Sequence, residues 1–515
     1  MDSSFVRRLF VPDENGRWLG ARWLFLRALG VFHFSVFYSL AFQIRGLLGD
    51  RGILPVSELF PFIAARAGVS RYWLIPSVLW LAPNDRGLAA LVVLGLFASV
   101  LLVLDVAPRA CLVVSGVLFL SFVTAAQDFS SYQSEGMLLE ATAAAFVLAP
   151  RGLRPGLAPD QPPTRAARLL VLWECFRIYF ESGVAKMASG DPSWRDLTAM
   201  DHDYENGPLP TWIGWWAQQL PHGFHAFTAF FTLLVELGLV FGVFFPQRGV
   251  RLPVFAILTA LQIGIIATGN YCFLNYLVLA LGFLLVEDDV LPVRLPTPAP
   301  REPRRWRVWS SAIWIVLLFY SSLTVFAFEG APEPMSWLAA PGNVLANLRL
   351  ANRYGLFARM TNVRYEIEFQ GSVDGKTWVP YRFKYKPQAL DEAPGIYAPY
   401  QPRFEWNLWF CAVAEEGIAR RYIDDGSAEG GTSQAIDDVA DRTCPWVLRV
   451  KARLLEREPE VLSLFRDDPF AGRAPRYVRA VLWRYWMTDP KTLRATGNYW
   501  RRERVALYGD ELFDN

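Results

Sequence analysis

The hydrophobic and polar positions of this chain follow one pattern up to about residue 328 and another after it. In the first part, apolar runs at about 22–44, 88–104, 110–126, 135–150, 169–187, 223–245, 252–268, 272–286 and 309–328 cross or nearly cross a bilayer, which predicts about nine transmembrane helices. The run from Tyr72 to Ala82 is too short to span and contains Pro76, so it predicts a re-entrant or interfacial segment. In the second part, "VRYEIEFQGSVDGKTWVPYRFKYKP" alternates polar and apolar residues on both sides of Asp374-Gly375, the pattern of a β-hairpin with a tight turn. "PWVLRVKARLLEREPEVLSLF" and "PRYVRAVLWRYWMT" have helical spacing with charged outer faces and predict helices. Two stretches break the pattern: the Pro-rich basic linker "LPTPAPREPRRWR" and the acidic "IDDGSAEGGTSQAIDD", expected to be a flexible insertion. The expected fold is a polytopic α-helical membrane domain over residues 1–328, followed by an extramembrane α+β domain over 329–515.

Composition agrees with a membrane protein: 53% of residues are hydrophobic, 15% aromatic and only 19% charged. A net charge of +2 supplies no basic field for nucleic acid, which is therefore excluded as a partner; the bilayer is the expected one. The arginines inform through position. Arg7, Arg8, Arg17 and Arg22, then Arg151, Arg154, Arg165 and Arg168, then Arg248 and Arg251, then Arg294, Arg301, Arg304, Arg305 and Arg307 fall in loops that nine spans put on one side, with Arg109 in a turn on that side too. The bias toward positive cytosolic loops makes that side the cytosol and the C-terminal domain non-cytosolic. "MDSSFVRRLFVPDENGRW" lacks the parts of a cleaved signal peptide, so the first apolar segment is expected to be retained.

The five cysteines form no CxxC pair, and three of them lie in or beside apolar segments. Cys411 and Cys444 lie in the polar region. They are expected to be free thiols, with a disulfide as the alternative if that region faces an oxidising compartment. The chain contains no P-loop, dinucleotide fingerprint or nucleophile elbow.

Charges inside the spans are the main chemical signal. Glu174, Arg177 and Glu181 are spaced i, i+3 and i+7 on one helical face, so Arg177 is expected to bridge two carboxylates away from lipid. Lys186 follows near the outer end, and Glu135, Glu140 and Glu236 on neighbouring spans are candidate partners. An ion-pair network that orients helices is one reading; a polar cavity that binds a headgroup or does chemistry is the other. Asp201, His202, Asp203 and Glu205, followed by His222 and His225, match no standard metal-site spacing, so no metal is expected and the loop reads as solvated and Trp-anchored on the membrane surface. His33 reads as a core residue. Trp406, Trp409, Trp483, Tyr485 and Trp486 are candidate client-binding anchors, weighed against ordinary core packing.

Taken in order, "SYQSEGMLLEA", "FRIYFESGVAKMASGDPSWRDLTAMDHDYENGPLPTW", "NRYGLFARMT", "KYKP", "PYQPRFEWNLWF" and "RYWMTDP" resemble the lipase maturation factor family over about residues 125 to 505, most of all its second animal branch. The resemblance implies a multi-pass protein of the endoplasmic reticulum that helps secreted dimeric lipases, lipoprotein lipase above all, reach an active fold. It implies a non-catalytic maturation factor whose lumenal C-terminal domain serves the client. A terminus unlike KDEL and a composition rich in Arg, Ala and Leu point to a bacterial member in an inner membrane, with a client other than an animal lipase. Over "YFESGVAKM" and the following Trp194 the chain also resembles vitamin K-dependent γ-glutamyl carboxylase. That likeness implies an alternative, a membrane oxidoreductase or carboxylase that uses a quinone with Lys186 as its base. Desolvation would favour neutral lysine there, and Glu181 would oppose it.

Overall fold

The computed structural model describes residues 9–10, 17–130, 132–291, 295–297, 304–327, 336–424, 444–471 and 473–513. Arg7, Arg8, Arg294, Arg301, much of the Pro-rich linker, Phe328 and nearly all of the acidic insertion lie outside the described residues.

The membrane part is built from α1 (Leu19–Ala41), α2 (Asp85–Val103), α3 (Pro108–Ala125), α4 (Gln133–Leu148), α5 (Arg165–Ala188), α6 (His222–Leu237), α7 (Arg248–Thr268), α8 (Leu274–Leu281) and α9 (Arg305–Ala327). Their starts are legible in local chemistry. Asn84 accepts the amides of Arg86 and Gly87 at the head of α2, Thr164 accepts that of Ala167 at the head of α5, and Pro108 opens α3. Among the described residues six helices are long and apolar enough to cross a bilayer: α1, α2, α3, α7, α9, and α6 continued through the 3-10 turn to Phe244. The apolar runs at 135–150 and 272–286 form shorter helices, while α5 is long but carries too much charge. Tyr72–Ala82 breaks into a helix at Arg71–Leu74 and a 3-10 turn at Val78–Leu81, with Tyr72, Trp73, Leu74 and Leu81 exposed.

The C-terminal part holds an antiparallel sheet of β1 (Arg364–Ser372), β2 (Val379–Pro380), β3 (Tyr477–Met487), β4 (Trp500–Leu507) and β5 (Leu512–Phe513), in the order β2-β1-β3-β4 with β5 on β3. Helices α10 (Arg403–Asp424) and α11 (Trp446–Leu455) pack on β1 and β3 respectively.

Three expectations change here. The hairpin exists, yet Gly371 pairs with Val379 across an open loop rather than a tight turn, and only two residues of the second arm are strand. Asp374 closes that loop by accepting the amides of Lys376 and Thr377. The full-length partner of β1 is β3, the segment whose spacing had predicted a helix. Burial explains the misreading: α11 covers one side of β3, and Trp215, Tyr485, Met487 and Trp500 form a core on the other. Apolar residues therefore fall on both faces, and periodicity alone cannot tell such a strand from a helix. The third change concerns Cys411 and Cys444, which form a disulfide that joins α10 to the start of α11. A 33-residue separation hid that proximity.

Every residue of β1 is buried, including the polar face that alternation had marked. That face is an internal ladder: Glu366 meets Arg364 at 2.5 Å and Lys386 at 2.7 Å, and Glu368 meets Arg502 at 2.8 Å. Burial of paired charges, not solvation, accounts for its polarity.

Candidate functional site

The charges carried by α4 and α5 converge on the junction between the helices and the C-terminal part. α4 presents Glu135 and Glu140, and α5 presents Arg177, Glu181, Ser182 and Lys186, all buried. Arg177 donates from Nε to Glu181 at 2.7 Å and from Nη1 to Glu140 at 2.6 Å, and from Nη2 to the carbonyl of Asn352. The other oxygen of Glu140 accepts the Tyr354 hydroxyl at 2.8 Å and both the amide and side-chain nitrogen of Asn352 at 3.2 Å. The Tyr354 amide donates to Glu181 at 2.8 Å. A planar guanidinium suits this role because its fork serves several acceptors at once.

The same strand of chain continues along α5. The Leu356 amide donates to Ser182 at 3.2 Å, and Lys186 donates to Glu236 of α6 at 2.8 Å and to the Leu356 carbonyl at 3.0 Å. Trp194 then donates to the Phe357 carbonyl at 3.0 Å, Asp191 accepts the Met360 amide at 2.7 Å, and Asn206 donates to the Thr361 carbonyl at 2.8 Å. Residues 352–361 are thus pinned over their whole length to α4, α5 and the loop that follows α5.

Expected and observed partners differ in two places. Glu174 is buried on α5, but Arg177 reaches Glu181 one turn on and Glu140 across the helix pair, so Glu174 takes no part in the bridge. Lys186 pairs with Glu236 and not with Glu181, whose oxygens already serve Arg177 and Tyr354.

The loop after α5 is only partly solvated: Trp212 and His202 are exposed, while its other side packs against the C-terminal part. Trp194 and Trp215 are buried, and Arg364 of β1 donates to the carbonyls of Glu205, Gly207 and Pro208. Glu205 accepts the Met487 amide at 2.7 Å. Burial raises the Glu205 carboxyl, an effect that the Met487 N–H and Arg364 oppose; burial likewise pushes Asp203 up to about 6 against the pull of Lys186. Asp201 lies 2.9 Å from His222 and 3.2 Å from His225, while His202 is exposed and Asp203 faces a cavity. Among the described residues no group of three or more His, Cys, Asp or Glu is arranged to hold a metal ion. His33 is fully buried, 2.9 Å from the Thr142 hydroxyl.

A second set of contacts ties α4 to α10. Arg403 pairs with Glu135 and donates to the Phe129 carbonyl at 3.0 Å, and Tyr132 donates to Asn407 at 2.8 Å. Asn270, between α7 and α8, accepts the amides of Tyr397 and Ala398 and donates to the carbonyls of Leu209 and Gly395. Of the candidate client anchors, Trp406 and Tyr485 are core residues. Trp409 is partly exposed and donates to the Asn206 carbonyl; Trp483 lies under Arg502, and Trp486 between Arg484 and Arg501. Asn352, Tyr354, Arg364 and Arg403 were not foreseen as site residues. Their motifs stood out, yet no spacing rule links Arg177 to a residue that follows it by 175 positions.

The residues that this seam draws together fall within two family matches. The lipase maturation factor transmembrane domain model matches residues 20–293, and the lipase maturation factor C-terminal domain model matches residues 350–424 and 434–509. The chain belongs to the lipase maturation factor family. It is 28% identical to lipase maturation factor 2 of Gallus gallus over 95% of this chain and 80% of that protein. The figures for lipase maturation factor 2 of Homo sapiens are 28%, 95% and 82%, and for lipase maturation factor 1 of Bos taurus 29%, 95% and 88%. No solved structure matches the chain. In this member of the lipase maturation factor family, the 352–361 segment belongs to the C-terminal match and its anchors on α4 and α5 to the transmembrane match. The seam between the two matched regions is therefore built from buried charge on one side and mostly from backbone groups on the other. These contacts hold elements of the two matched regions against each other.

Proposed function

We propose that this chain is a membrane-embedded maturation factor that helps secreted clients, lipases by relationship, to fold into active form. The observation that carries the proposal is the ordered match to both lipase maturation factor domains, over residues 20–293 and then 350–424 and 434–509, together with an alignment over 95% of the chain to a relative of that family. In this reading residues 1–328 cross the membrane about nine times and residues 329–515 form a non-cytosolic client domain. The arginine clusters support that side, and so does the Cys411–Cys444 disulfide, which an oxidising compartment favours. The family resemblance implies the endoplasmic reticulum for animal members. Trp409, Trp483 and Trp486 are half-buried and are the candidate anchors that remain for a client surface. The alternative of a quinone-using enzyme gains no support from the family matches, and the Lys186 ammonium is engaged with Glu236 and Leu356.

The test is removal of the chain from its own cells, followed by measurement of secreted lipase amount and specific activity. Specific activity should fall and return on re-expression. Unchanged lipase activity in cells that demonstrably lack the protein would overturn the proposal. Labelling of single cysteines from each side of intact membranes checks the orientation: a residue introduced at Asp374 should react from outside the cytosol and one at Arg304 from within it.

A further inference from the structure

The bundle has a lateral gap. α6 rests on α5 and on the turn Ala199–Asp201, α7 rests on α8 and on the turn Leu239–Phe244, and α6 and α7 touch each other little. Between them lies a cavity of about 320 Å³, within the size range of small-molecule sites. Its walls are apolar, with Phe231 on α6 and Leu261 and Ile265 on α7, and exposed Phe224 and Ala260 lie at its rim. Both helices expose apolar side chains such as Phe227, Phe230 and Ile263, so the gap opens toward lipid.

The cavity is not apolar throughout. Lys186, Glu236 and Asp203 line its polar part. One oxygen of Glu236 takes the Lys186 ammonium; the other is buried with no hydrogen-bond partner. Among the described residues nothing donates to the Asp203 carboxylate either, although Lys186 is close enough to attract it. Two carboxylates thus face one ammonium, which leaves acceptor capacity and an excess of negative charge. A buried acceptor without a donor is costly, and a ligand that brings one relieves that cost.

We propose that this cleft binds an amphipath from the bilayer, its hydrocarbon chain lying between α6 and α7 and its head donating hydrogen bonds to Glu236 and Asp203. The head is a neutral or cationic donor, an alcohol or an amine. An anionic head would meet the two carboxylates and is disfavoured.

The test uses purified full-length protein in phosphatidylcholine nanodiscs with three photoactivatable probes of equal chain length: a long-chain alcohol, the matching amine and the matching fatty acid, each with a diazirine on the chain. The alcohol and amine should label peptides within residues 222–237 and 248–268, about tenfold more than the acid does. Gly264 lines the cavity, and a Cβ there would meet nothing within 4 Å. Gly264→Phe should therefore fill the gap and abolish this labelling while melting as wild type does. Ala260→Phe is a second filler at an exposed rim position. Asp203→Asn should narrow the difference between amine and acid. Labelling spread evenly over the lipid-facing helices, labelling undiminished in a folded filler variant, or equal labelling by the acid would each overturn the proposal.

Discussion

At the scale of single residues, Arg177 holds three parts of the chain through one guanidinium: Glu181 on its own helix, Glu140 on α4 and the backbone at Asn352. Arg177→Ala would leave two buried carboxylates without their counter-ion, and the expected loss is about 3–5 kcal/mol. It should register as a strongly lowered melting temperature in detergent. Arg177→Lys should recover little, because a point charge cannot serve three divergent acceptors. Replacing Arg177, Glu140 and Glu181 together by Leu should recover part of the loss, whereas a single Arg177→Ala protein that melts normally would mean that water reaches the cluster. Asp203 gives a pH prediction. Its carboxyl, held at about 6 in the fold against an ordinary 3.8, makes a contribution that is fully present below about 4 and is lost as pH rises through about 6. Stability should fall across that window by on the order of 3 kcal/mol, and Asp203→Asn should flatten the profile. Only part of this chemistry was legible beforehand. Helical spacing correctly put Arg177 beside Glu181, but the same spacing wrongly recruited Glu174, since it cannot weigh a nearer carboxylate on another helix. The contributions of Asn352 and Tyr354 depend on chain path, which periodicity does not encode.

Among the elements, the sheet and its two helices show where pattern reading succeeds and where it fails. α11 is amphipathic, with one face on the sheet, and its spacing announced it. β1 also matched its alternation, although its polar face proved to be internal. β3 failed because it is covered on both sides, and the disulfide stood only as the alternative to free thiols because nothing in a 33-residue separation implies that its ends meet. That crosslink should stabilise the C-terminal part by about 4 kcal/mol if it acts by restricting the unfolded chain. Reductant should lower the melting temperature of the wild type, and Cys444→Ala should melt near the reduced value and be insensitive to reductant. A reductant effect of equal size in Cys444→Ala would assign the change to something else.

Over the whole molecule, one buried core runs from α1 through the bundle into the sheet, so the two regions that composition separates so clearly are packed as one. The seam predicts how truncations behave. A chain ending at residue 347 keeps Glu140, Arg177, Glu181 and Lys186 but loses every partner in 352–361, and it should be recovered in low yield or in an unstable form. Extension to residue 361 should restore part of the yield, because it returns Asn352, Tyr354 and Leu356 to their anchors. Equal yields from the two chains would show that the helices do not depend on the clamp. The clamp also bears on how the protein is made. α4 and α5 leave the ribosome well before residue 352 exists, so the membrane first receives a charged helix pair whose internal pairing, Arg177 with Glu140 and Glu181, is available at once while the remaining acceptors wait. A nascent chain that ends short of residue 352 therefore still carries buried-charge positions whose partners do not yet exist, and holding them in the bilayer in that state is costly.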